Sequence, residues 1–235
     1  PLPVTRAIKL ATTVVITLLI SAITALSTLA NTLTSKLPTI TYLDEFIIPT
    51  GDIYKNTTVG GLSSIDYTNG QFYMISDHGG GEDNKILGEP RYYQMDIRIA
   101  DNKITDVEIV SVANLLPANA SVKGIDPESL RVLDDGKHYV WSSEGSVKDN
   151  IGPAAFIGNL NKTPETLSPS FVMPPYFDVS VNSGPRQNAV LEGLSLSYDN
   201  RGIWLAMEGP LKQDSEEPTL TEGAHVRFSY FSFIT

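Results

Sequence analysis

LEGLSLSYDNRGIWLAMEG, residues 191–209, reads as a β-hairpin with an acid at each end. Leu194, Leu196 and Tyr198 alternate with Ser195 and Ser197, Asp199-Asn200-Arg201-Gly202 turns the chain, and Ile203–Met207 returns. Alternation around a turn rich in Asp, Asn and Gly is the sequence mark of a hairpin. Glu192 enters the first strand and Glu208 leaves the second, so antiparallel pairing brings both carboxylates to one end. The pattern occurs twice more. Asp126–Leu133, a turn at Asp134-Asp135-Gly136, His138–Ser143 and then Glu144 form one copy. Gly61–Tyr67, a turn at Thr68-Asn69-Gly70, Gln71–Ser76 and then Asp77 form the other. Leu62, Leu130 and Leu194 align at steps of 68 and 64 residues, the size of a small sheet.

Working outward, each hairpin is followed by a loop and further strand-like segments. These are Arg91–Ile99 and Thr105–Val112 in the first unit, Ala154–Leu160 and Ser168–Met173 in the second, and His225–Phe233 in the third. Ile40–Ile48 is a further expected strand ahead of the first hairpin. No stretch after residue 40 has a helical period. Short strands in units that recur at even spacing predict an all-β fold, specifically a β-propeller. Unit counts of four, four and three strands predict about three blades, a part of a ring incomplete at the C-terminal side. Position 1 is Pro rather than Met, which predicts a longer reading frame.

The 235 residues carry a net charge of −10 with a pI near 4.7, which argues against nucleic acid as a partner and suits cations. There is no Cys, so neither disulfides nor thiolate metal sites exist. Arg6 and Lys9 precede 26 uncharged residues, Leu10–Ser35, whose apolar run Val14–Ile20 gives way to small residues ending Thr28-Leu29-Ala30. That order predicts a secretory signal peptide over residues 1–30. An uncleaved membrane anchor is the alternative, since the uncharged stretch is long enough to span a bilayer. Residues 31–39 read as a linker and residues 40–235 as the β domain. Asn56, Asn119 and Asn161 begin Asn-x-Ser/Thr sites, glycan acceptors in a eukaryotic host alone.

The sequence resembles the phytase-like proteins described by "esterase-like activity of phytase". The resemblance is carried by Val59–Tyr67, Phe72–Asp77, Pro90–Tyr93, Asp126–Leu130, Trp141–Gly145 and Arg186–Leu194, in the family's order over roughly residues 45–230. It implies a secreted or periplasmic propeller with hydrolase activity toward phosphoesters or other esters. This chain departs from the family at His78-Gly79-Gly80-Gly81, where the family follows Ser-Asp with another acid and a basic residue, and residues 1–235 are expected to stop short of the family's C-terminal blades.

On the propeller reading, Glu128 and Glu192 open first strands while Asp77, Glu144 and Glu208 close second strands, so five carboxylates meet at one rim. Crowded carboxylates call for protonation or a cation. A Ca²⁺ ion, which takes six to eight oxygens, is the metal expected. The alternative is that they accept backbone N–H groups and lock neighbouring blades. Arg91, Lys123, Arg186 and Lys212 are expected to flank this face. Arg91 and Arg186 are catalytic candidates as forks on a phosphate, or else partners of the acids. His78 is the catalytic acid/base candidate, or else a solvated loop side chain. No Gly-x-Ser-x-Gly elbow exists, so a serine triad is not supported. Two functions follow: a calcium-dependent hydrolase of small phosphoesters or esters, or a non-catalytic exported propeller whose acidic face binds a protein or polymer.

Export makes a direct prediction. N-terminal sequencing of the mature protein is expected to begin near Asn31, whereas an intact N-terminus in the membrane fraction indicates the anchor.

Overall fold

A computed structural model describes residues 39–49, 51–77 and 89–233. The signal-peptide or anchor segment, most of the linker and His78 lie outside the described residues. The chain divides into a unit Pro1–Leu43 and a unit Asp44–Thr235, and the second holds every element below. The fold is all-β. Four small antiparallel sheets and two 3-10 turns, Val147–Asp149 and Pro175–Phe177, make up the described secondary structure. Among the described residues no helix is long and apolar enough to cross a membrane.

A two-stranded hairpin comes first, β1 (Ile53–Tyr54) with β2 (Thr57–Thr58). Its turn residues Lys55 and Asn56 both have positive φ, the backbone of a tight hairpin turn that the sequence signals weakly without glycine. The second sheet is β3 (Leu62–Thr68), β4 (Gln71–Ser76), β5 (Arg91–Ala100) and β6 (Lys103–Asn114), in that order. The third is β7 (Pro127–Val132), β8 (His138–Ser143) and β9 (Ala154–Asn159). The fourth is β10 (Leu191–Leu196), β11 (Gly202–Met207) and β12 (Phe228–Ser232). All three expected hairpins are present.

Two expected strands are not. Residues 39–49 form none; instead the Asp44 carboxylate accepts the Ile104 N–H of β6 at 2.8 Å. The charges of Asp44 and Glu45 interrupt the apolar run that suggested a strand. Ser168–Met173 runs beside β9 and makes single bonds to it, Ser170 N–H to Ala155 O and Ile157 N–H to Ser170 Oγ. Pro169 has no N–H, and Pro174 and Pro175 follow, so no ladder extends there.

Strand pairing also corrects the repeat. Ser76, Ser143 and Met207 end the second strands, and they pair with Leu62, Pro127 and Leu191. Ile65, Leu130 and Leu194 therefore occupy one position, opposite Met74, Trp141 and Leu205. The alignment of Leu62 with Leu130 and Leu194 is therefore three residues out of register in the first hairpin.

The three larger sheets stack in sequence. Tyr73, Ile75 and Tyr92 of the first pack against Leu130, Tyr139, Trp141 and Phe156 of the next in one buried cluster. The opposite face of that sheet, through Val140 and Ala155, packs on Leu194, Ile203, Leu205 and Met207. Burial of these side chains supplies the main driving force, roughly 1.5–3 kcal/mol for each fully buried large residue. First strands lie beside one another and are joined by side-chain bonds. Ser64 Oγ accepts from Leu130 N at 3.0 Å, Asp66 Oδ2 from Val132 N at 2.7 Å, and Ser129 Oγ donates to Glu192 O at 2.6 Å.

Asp66→Ala leaves the Val132 N–H without its acceptor and is expected to lower stability by about 1–3 kcal/mol. Asp66→Asn keeps an acceptor oxygen and is expected to lose less, an ordering that urea unfolding of the three proteins checks.

Candidate carboxylate site

Glu128 and Glu192 each sit in a β-bulge. The β7–β8 ladder skips from Pro127 to Leu130, and the β10–β11 ladder from Leu191 to Gly193. A bulge frees one residue from the ladder and turns its side chain, a device common beside active sites. The β3–β4 ladder has the same irregularity between Leu62 and Ser64, so Ser63 stands where the other repeats have Glu. The acids that follow the second strands are held by backbone bonds across the hairpin. Asp77 N donates to Gly61 O, Glu144 N to Asp126 O and Glu208 N to Val190 O, at 2.8–2.9 Å.

Four of the five acids singled out in the sequence converge. Asp126, Glu128 and Glu144 offer oxygens within 4.8 Å of one another, and so do Glu144, Glu192 and Glu208. Glu144 belongs to both groups. Asp77 is in neither, although its charge acts on Asp126, Glu128 and Glu192. Asp126 is the member the sequence reading left out. The signal was present in Asp126-Pro127-Glu128, since residues two apart near the start of a strand share a face.

Burial and mutual repulsion dominate the electrostatics. Glu128 is 8% exposed and Glu144 3%. Desolvation, then the charges of Glu192, Asp126, Glu144 and Asp77, push the Glu128 carboxyl from 4.5 up to about 9. Desolvation raises Glu144 to about 7 against the pull of the Val190 N–H, which its Oε1 accepts at 2.5 Å. Burial and the neighbouring charge of Glu208 raise Glu192, which a Glu128 hydrogen bond partly offsets. Burial and the Asp77 charge raise Asp126, while Lys148 opposes them. Lys148 is a cation acting on the cluster that the sequence reading did not name.

The other basic residues are engaged elsewhere. Arg91 is fully buried at the start of β5, where its guanidinium donates to Thr58 O, Glu89 O and the Tyr93 hydroxyl. Arg186 donates to Pro210 O and Ser215 O and sits 3.7 Å from a Glu217 oxygen, so it braces the loop after β11. Lys123 pairs with Asp149 at 3.0 Å, and Lys212 donates to Ser180 O at 2.6 Å.

A family model described as "Phytase-like: Esterase-like activity of phytase" matches residues 57–233 of this chain. A search of curated proteins finds no match.

Without added metal, the folded chain keeps the Glu128 proton up to about pH 9, while the unfolded chain releases it near 4.5. The unfolded state therefore binds fewer protons in that window, and stability falls as pH rises through it. Thermal melts in chelator are expected to show a midpoint that drops from pH 5 to pH 9. Glu128→Gln is expected to raise the midpoint at pH 8 and flatten its pH dependence.

Proposed function

The chain belongs to the phytase-like family described as esterase-like activity of phytase, and on that premise we propose a metal-dependent hydrolase of small phosphoric or carboxylic esters. The observation that carries this reading is the convergence of Asp126, Glu128, Glu144, Glu192 and Glu208 in two close groups sharing Glu144. The donor set is all carboxylate oxygen, and within it Glu128 and Glu144 hold their protons well above the ordinary carboxylate range. Such a set fits a hard divalent cation, Ca²⁺ foremost, because displacing those protons relieves the repulsion. When bound, the cation supplies Lewis acidity toward a phosphoryl or carbonyl oxygen.

The chain's own residues supply the remaining parts. Glu144 is fixed by the Val190 N–H and ties the two groups together. The bulges at Glu128 and Glu192 aim those carboxylates out of their ladders. Glu208, the exposed member, is placed to accept a proton from an attacking water. Arg91 and Arg186 receive no part in the reaction, since their donors serve the strands and loops that hold the site.

Two further elements complete the proposal. The three larger sheets are consecutive blades of a β-propeller; adjacent first strands, outward strand order and the same face pairing at both sheet contacts support this. The protein acts after export to the periplasm or the extracellular space, a reading supported by Arg6, Lys9 and the apolar run that follows them.

Calcium at a hundredfold its dissociation constant stabilises a protein that binds it only when folded by about 2.7 kcal/mol. The thermal midpoint is therefore expected to rise on adding Ca²⁺ after chelation, with a smaller rise in Glu192→Gln, and phosphate or alcohol release from a generic ester to require the metal. A calcium-induced rise without turnover indicates the non-catalytic binding protein. No rise at all makes the carboxylates structural acceptors.

A further inference from the structure

Adjoining the residues that flank the carboxylates, the chain forms an open cavity of about 570 Å³, within the range of small-molecule sites. Its wall is mainly apolar: Ile125, Ile151, Phe156, Leu167, Met173 and Phe177. Its polar lining residues are Ser143, Asn150 and Asp178, and of these Ser143 touches the acidic site through the Asp126 N–H. Two of these residues sit next in sequence to the acidic site, Ile125 before Asp126 and Ser143 before Glu144. The Ser143 hydroxyl is 1% exposed by residue and accepts two backbone N–H groups, Asp126 at 3.0 Å and Gly145 at 3.3 Å. With both incoming bonds on its oxygen, its own proton remains available to donate. A buried hydroxyl of this kind, at the seam between an apolar cavity and a carboxylate cluster, suits an ester oxygen.

The cavity wall is built from close backbone contacts. Gly145 has φ +80, and a Cβ there would lie 2.4 Å from Gly152 O, so only glycine lets the loop after β8 fold back as it does. That fold brings Asn150–Pro153 onto the cavity.

Charge narrows the ligand class further. The chain is strongly acidic, and Lys123, Arg186 and Lys212 in the surrounding loops are already engaged. Lys148 is left as the cation acting on the cluster, enough to meet one phosphate rather than several. We infer that this cavity binds the apolar alcohol or aryl portion of a monoester, placing its ester oxygen at the Ser143 hydroxyl beside the carboxylates. The inference rests on the hydrolase reading for the reaction, and it specifies which esters are preferred: those with a single ester phosphate or carboxylate and an apolar group, in preference to polyphosphorylated polar alcohols.

The test uses the full chain in calcium and isothermal titration with two phosphate monoesters, 1-naphthyl phosphate and glycerol 2-phosphate. The expected result is that 1-naphthyl phosphate binds at least tenfold more tightly. Met173→Glu, at a half-buried wall position, is expected to bring that ratio close to one. Equal affinities in the wild type, no binding of either ester, or a ratio indifferent to Met173→Glu overturns the cavity inference. Calcium stabilisation in the same samples separates the two readings. If calcium stabilises the protein but the ratio is one, the cavity inference alone fails. If the ratio is tenfold and calcium has no effect, the cavity stands and the metal-dependent reaction fails.

Discussion

An edge strand carries a row of N–H and C=O groups that nothing in its own sheet can satisfy, and first strands β3, β7 and β10 are all edges. The solution here is that each neighbouring sheet supplies polar side chains to that row. Ser64 and Asp66 accept the Leu130 and Val132 N–H groups, Ser129 donates to Glu192 O, and the Ser142 hydroxyl donates to Leu191 O at 3.4 Å. These bonds set both the spacing and the register of the first strands. The positions of Glu128 and Glu192 follow from that register, and so does their approach to Glu144.

The acid cluster opposes the fold that creates it. Hydrophobic contacts on both faces of the β7–β9 sheet hold carboxylates closer than their charges favour. The Val190 N–H on Glu144 offsets part of that repulsion, and a proton on Glu128 offsets more. Structures retain such locally unfavourable arrangements most often where they serve a site.

Much of this was legible in the sequence. Hairpins announced themselves through alternation and through turns such as Thr68-Asn69-Gly70, and the acids at their ends marked one end of the hairpins. The bulges were not legible. A bulge adds one residue without altering the alternating pattern enough to be seen, and aligning Leu62 with Leu130 and Leu194 put the first hairpin in the wrong register. Ser168–Met173 had strand-like residues, but prolines denied it a ladder. The carbonyls that Arg91 and Arg186 donate to were not legible either, because sequence shows a charge and not the main chain folded around it. The cavity was invisible for a related reason: its wall is drawn from segments between residues 124 and 179 that only the fold brings together.

Where one sheet meets the next, what is recognised across the contact is largely main chain. Leu130 and Val132 offer N–H groups, and Leu191 and Glu192 offer carbonyls, which every residue carries apart from the N–H that proline lacks. A position that contributes only its main chain can therefore change its side chain without breaking the joint, while the serine or aspartate whose side chain makes the bond cannot. Units joined in this way are free to differ widely in sequence and still assemble. The same place in three repeats can then hold Ser63, Glu128 and Glu192, so that a site could arise in some copies without dismantling the array.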